Sequence, residues 1–185
     1  MGGVQAMMAR AAVVVAATIV LAACGGGDKG ASAPTPDGFH RTQTQDFSLA
    51  LPPQWQADTL NADGAKFIEA RAPGSDVNRA QLRIGADRDY KSDINGAVQL
   101  AEGEIPVRRP GATRVVSKPI DVRGAADARR VEWTVPAGGG LEPARIVTVL
   151  ALSSKRTLVN LSLGVAQSQV DQTRIDDIVH SLEVK

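Results

Sequence analysis

One cysteine and two histidines supply all the thiol and imidazole chemistry in 185 residues. Cys24 has no second cysteine to pair with, which excludes a disulfide framework and a Cys-based zinc site. His40 and His180 are far apart, with no further imidazole or cysteine at metal-ligand spacing, and read as surface or boundary residues. Asp87, Asp89 and Asp93 crowd into Asp-Arg-Asp-Tyr-Lys-Ser-Asp, and three carboxylates could hold Ca²⁺. A calcium loop begun at Asp89 would need Gly at its sixth position and Glu at its twelfth, where this chain has Ile94 and Leu100. Acidic bias at a helix start, favoured by the positive end of the helix dipole, explains the cluster better. Arginine outnumbers lysine fifteen to six, with pairs at Arg108-Arg109 and Arg129-Arg130. Bidentate guanidinium recognition would suit a phosphate or an anionic lipid head group. The interspersed acidic residues favour instead solvated arginines on an open strand face and at sheet edges. There is no Gly-x-Ser-x-Gly elbow, no P-loop and no Gly-x-Gly-x-x-Gly turn. The chain is therefore expected to be noncatalytic, with no cofactor and no metal.

The amino-terminal segment gives Cys24 its chemistry. After Arg10 come thirteen uncharged residues, Ala11 to Ala23, and then Cys24-Gly25-Gly26-Gly27. At about 1.5 Å per residue such a helix spans about 20 Å, short of the roughly 30 Å hydrocarbon core. It reads as a signal-peptide core, whether translation begins at Met1, Met7 or Met8. Leu21-Ala22-Ala23-Cys24 resembles the lipobox of bacterial lipoproteins. That resemblance implies that Cys24 receives a diacylglyceryl group and that a signal peptidase cuts just before it. Residues 1–23 are then the signal peptide, with Cys24 the lipid attachment site. Each buried CH₂ of such chains contributes about 0.8 kcal/mol to anchoring.

Loss of residues 1–23 removes only Arg10, leaving 20 basic and 20 acidic side chains. Lipid, rather than a polybasic patch, is expected to hold the protein to the membrane, and a near-neutral chain has no basic footprint for nucleic acid. Residues 25–38 mix Gly, Ser and Pro without a large apolar side chain, so 24–38 read as an acylated cysteine and flexible tether. Residues 39–185 are long enough for one core, and 43% hydrophobic content is too high for a disordered polymer.

In that domain Phe47, Leu49 and Leu51 alternate as a half-buried strand ended by Pro52-Pro53, Lys66 to Ala70 form a second strand, and Ala80 to Ala86 alternate cleanly in a third. Ser92 is the expected N-cap of a helix carrying Ile94, Ala97, Val98, Ala101 and Ile105 on one face and ending at Pro106. Strands follow at 113–122 and 128–135, the latter with Val131, Trp133 and Val135 on one face and Arg130, Glu132 and Thr134 on the other. The two most apolar strands, 145–152 and 157–165, are joined at hairpin length and are expected to be central. Ser168 with Asp171 forms a capping-box pattern opening a last helix whose face carries Ile175, Ile178, Val179 and Leu182. Trp55 and Trp133 read as core anchors. The turns are too short for parallel crossovers, which predicts an α+β fold, an antiparallel sheet of five to six strands covered by two main helices.

The Phe-Ser-Leu-Ala-Leu-Pro strand running into Pro-Gln-Trp, the meander ending Arg-Thr-Leu-Val-Asn-Leu-Ser-Leu-Gly-Val and the closing Ile-Val-His-Ser-Leu resemble the PsbP-like group, including lipid-anchored actinobacterial proteins of that shape. The likeness covers most of residues 44–185 and implies a PsbP-like sandwich without a common catalytic site. The expectation is a lipid-anchored protein on the extracytoplasmic face of the cell membrane, acting as a noncatalytic accessory or partner-binding module. Its partners would be the membrane, through N-terminal acyl chains, and an envelope protein or small ligand. A carrier of a small or lipidic ligand, or an unrecognised hydrolase, is the alternative.

Overall fold

The computed structural model describes residues 33–62, 65–74 and 79–185; Cys24, the signal segment and the first part of the tether lie outside these. Among the described residues ten strands form two antiparallel sheets. The small sheet joins β1 (His40–Gln43), β2 (Phe47–Leu51) and β10 (Glu183–Val184), with β2 in the middle. The large sheet holds β3 (Gln56–Ala62), β4 (Ala65–Arg71), β5 (Gln81–Asp87), β6 (Thr113–Pro119), β7 (Asp127–Val135), β8 (Ala144–Leu152) and β9 (Leu158–Ala166) in the order β3-β4-β5-β9-β8-β7-β6. Helix α1 (Ile94–Arg108) follows β5. A 3-10 turn (Gln167–Gln169), α2 (Val170–Thr173) and α3 (Ile175–His180) precede β10.

The expected α+β class with antiparallel pairing holds, but the strand number does not. β3 escapes detection because its residues 56–61 are solvent-exposed on both faces, so Gln-Ala-Asp-Thr-Leu-Asn shows no alternation. β1 and β10 are short, and β1 is polar throughout. β9 and β8 lie inside the large sheet as expected, because both faces of each are covered and their apolar runs have no solvent side.

The large sheet has two cores. On one face β2, α3 and β10 bury Phe47, Leu49, Ile84, Leu161, Ile178 and Leu182 among others. On the other face α1 packs Ile94, Ala97 and Ala101 against Val131, Trp133, Ile146 and Leu150. Ile146 and Leu150 lie under α1, whereas Val147 and Val149 lie under the closing helix, because residues two apart share a face and the two sets alternate.

Helix ends differ from the sequence reading. Asp93, not Ser92, caps α1, its Oδ1 accepting from Gly96 N at 2.9 Å. Pro106 stands inside α1 rather than ending it; so near the end little ladder is lost, and Arg109 N still reaches Ile105 O at 2.8 Å. The closing helix is broken. Ser168 donates to Glu142 Oε1 at 2.8 Å instead of capping, and Arg174 adopts the left-handed conformation (φ 51°, ψ 51°) between α2 and α3.

Residues 33–38, expected as tether, run against the small sheet: Arg41 Nη2 donates to Ala33 O at 2.6 Å and Ala33 N donates to Glu183 Oε2 at 3.2 Å. Gly124 (φ 77°) lets the 122–125 turn cross β10, since a Cβ there would meet Val184 O at 1.8 Å; Val184 N in turn donates to Arg123 O at 2.8 Å.

Candidate functional site

The residues first suspected of chemistry stay apart. His40 and His180 are exposed, as are Asp87, Asp89 and Asp93, and among the described residues no group of three His, Cys, Asp or Glu side chains is placed to hold a metal ion. Asp93 is committed to its capping bond. Trp55 and Trp133 are buried in the two cores. Arg108 is exposed and pairs with Glu104 one turn back.

Arg130 departs from the solvated side chain that charge balance suggests: it is only 8% exposed and its neighbour Glu132 only 3%. Both point from β7 to the same face as Ala128, because that face lies beneath α3 rather than open to water. Burying a charge is costly unless it is paired, and these are paired. Glu132 Oε2 accepts from Arg145 Nε on β8 at 2.7 Å and also from Arg145 Nη2. Arg130 Nε lies 2.7 Å from Glu132 Oε1 but out of line for a hydrogen bond, so that contact is chiefly Coulombic. Arg130 Nη1 donates to Asp176 Oδ1 at 2.6 Å. The Arg130 hydrogen bond is the main reason the Asp176 carboxyl is held below the usual carboxylate range, aided by its charge and by those of His180 and Arg145 and opposed by partial burial.

These groups border a cleft of about 230 Å³ lined by Arg130, Arg145, Arg174, Asp176, Asp177 and the aliphatic Val170 and Ile175. Arg174 reaches it from the α2–α3 break, its Nε donating to Asp177 Oδ2 at 2.5 Å and its guanidinium stacked 4.6 Å above the Phe39 ring. Three arginines from β7, β8 and the helical break therefore converge on one opening. From sequence only the Arg129-Arg130 pair hinted at this; Arg145 joins it through strand register, Arg130 pairing across to Val149 and Thr134 to Arg145, and Arg174 through the break between α2 and α3.

A second surface feature lies on α1. Leu100 is 63% and Val107 80% exposed, and with Gln99, Gly103, Glu104 and Arg108 they line an open groove of about 460 Å³. Spacing of i, i+3 and i+7 puts Leu100, Gly103 and Val107 on one solvent-facing stripe, flanking the buried side of the helix that carries Ala97 and Ala101. Gly103 leaves a gap between the two apolar side chains, with open space where a Cβ would stand.

No protein-family model matches the chain, and no curated protein does either. Solved structures share its fold. LpqN of Mycobacterium tuberculosis, described as involved in cell envelope biogenesis, is 14% identical over 80% of this chain and 91% of its own, with a TM-score of 0.55. The cyanobacterial PsbP (CyanoP) of Synechocystis sp. PCC 6803 is 13% identical over 89% of this chain and 99% of its own, with a TM-score of 0.57. A Bacteroides thetaiotaomicron protein is 11% identical with a TM-score of 0.49, this chain covering 45% of its length. The chain thus shares a PsbP-like fold with CyanoP, and LpqN has a similar fold.

Proposed function

We propose that this protein is a noncatalytic accessory module, held by acyl chains on Cys24 at the extracytoplasmic face of the cell membrane, that binds a partner protein of the envelope through α1. The observation that carries the reading is the contrast between filled cores on both faces of the large sheet and the bare Leu100–Gly103–Val107 stripe. An apolar stripe with a central gap suits a ridge of another protein, and exposed apolar surface of this kind commonly marks an interaction site. The anchor rests on the Leu-Ala-Ala-Cys resemblance, and no helix among the described residues is long and apolar enough to cross a membrane. The fold shared with an envelope-biogenesis protein fits the same setting. A carrier of a lipidic ligand would need a larger enclosed apolar cavity, about 300 to 1,000 Å³, than the polar cleft of about 230 Å³ beneath α3 offers.

Two measurements test this. Mass spectrometry of the membrane-extracted protein should find acyl mass on Cys24, and Cys24→Ala should leave the precursor unprocessed; a mature protein without acyl mass overturns the anchor. A photo-cross-linking residue at position 107 should give one discrete adduct in native membranes that Leu100→Asp abolishes. An adduct indifferent to that change, or none, overturns the α1 interface.

A further inference from the structure

We propose that the cleft beneath α3 binds one phosphate-type oxyanion, with Arg130, Arg145 and Arg174 as donors and Asp176 as the resident carboxylate that the ligand displaces. This goes beyond the α1 interface and does not depend on it.

The site is built from the inside outward. Arg130 and Glu132 are buried charges on a sheet face otherwise facing an apolar core. Apolar residues of equal volume would generally serve stability as well or better than such a pair. Arg130 lines an open cleft with the buried Glu132 paired to it, and that position supplies another role. Glu132 holds Arg130 and Arg145 together, and both arginines line the opening. The hydrogen bonds made by Arg130, Arg145 and Arg174 leave a terminal nitrogen of each without a protein acceptor among the described residues.

Asp176 differs from Glu132 in the way an exchangeable partner should. Its side chain is 70% exposed and holds Arg130 through one bond, whereas Glu132 is sunk beneath both arginines. While Asp176 is in place, three guanidiniums face three carboxylates; with Asp176 turned to water, the balance is three to two. A carboxylate ligand would only repeat what Asp176 does. A phosphate monoester dianion brings a second charge and three terminal oxygens for three convergent guanidiniums, each able to donate in a fixed fork. The cleft, at about 230 Å³, admits such a group but not a drug-sized molecule, whose sites begin near 300 Å³. The backbone gives independent support. Arg174, a side chain in the left-handed region, breaks the closing helix at the rim. Strained non-glycine residues of this kind cluster at ligand clamps.

The test is calorimetric titration of the whole protein with inorganic phosphate against chloride at matched ionic strength. Saturable phosphate binding is expected, at least tenfold weaker in Arg145→Gln and at least fivefold tighter in Asp176→Asn, which removes the competitor. The tightening reports an anion bound beside Asp176, since removing that charge would not change binding at a distant surface site. Absence of saturable binding, or binding that neither variant changes, overturns the proposal. Circular dichroism of both variants guards against misfolding. Two further arms identify the source. Glycerol phosphate should bind as inorganic phosphate does. Competition by phosphatidic acid in phosphatidylcholine vesicles carrying the protein would assign the site to a lipid head group, and its absence to a soluble monoester.

Discussion

Replacing Glu132 by Gln keeps the shape of a side chain that is 3% exposed but removes the charge between Arg130 and Arg145. Taking away one partner of a buried ion pair costs roughly 3 to 5 kcal/mol, because the other charge stays desolvated. Two features place this case near the lower end, about 3 kcal/mol: Arg145 is partly solvated, and Arg130 keeps its 2.6 Å bond to Asp176. Against a total stability of about 5 to 15 kcal/mol this is a large fraction. For a domain of this size, where 1 kcal/mol moves Tm by about 2 to 4 °C, it corresponds to a drop of roughly 6 to 12 °C. The paired change Arg130→Met with Glu132→Leu should recover part of that loss, since it removes both buried charges and fills the same space, the remaining cost being that of Arg145, which loses its Glu132 partner but is partly solvated. Urea denaturation of the three proteins with a common m-value decides the matter. If Glu132→Gln unfolds within about 0.5 kcal/mol of the wild type, the pair is not shielded from water and the electrostatic picture of the cleft is wrong.

The carboxy-terminal strands offer a contrast of scale: Leu161→Ala, at a fully buried position, should cost about 2 to 5 kcal/mol, whereas Arg108→Ala, exposed and paired only with Glu104, should change stability by less than about 0.5 kcal/mol. Equal midpoints in chemical denaturation would show that the core is misassigned. Because Arg130 holds the folded Asp176 carboxyl below its unfolded value, Asp176 adds stability that is present above the ordinary Asp range, near pH 4, and is lost as pH falls further through the folded value. Asp176→Asn should therefore flatten the acid limb of the stability profile below about pH 4, and an unchanged slope would refute the Arg130–Asp176 bond.

Local order in the sequence determined the elements that carry a one-sided or fully apolar pattern. The alternation of Leu82 and Ile84 with Gln81 and Arg83, the β8–β9 hairpin and the apolar face of α1 all rest on periodicity, which the chain writes residue by residue. The antiparallel α+β class followed from short turns between strand patterns together with two helical patterns. Where burial comes from distant neighbours, periodicity is silent or misleading. β3 is a strand because β4 pairs with it, not because it hides a face, and the closing helix breaks at Arg174 although its apolar spacing runs on. The cleft is the clearest case. A sequence can show that Arg130 and Glu132 share a strand face; it cannot show that this face lies beneath α3, nor that register and the helical break bring Arg145 and Arg174 alongside. Whether a charge is solvated or buried depends on what the rest of the chain places over it, and that is decided only when the sheet acquires its second layer.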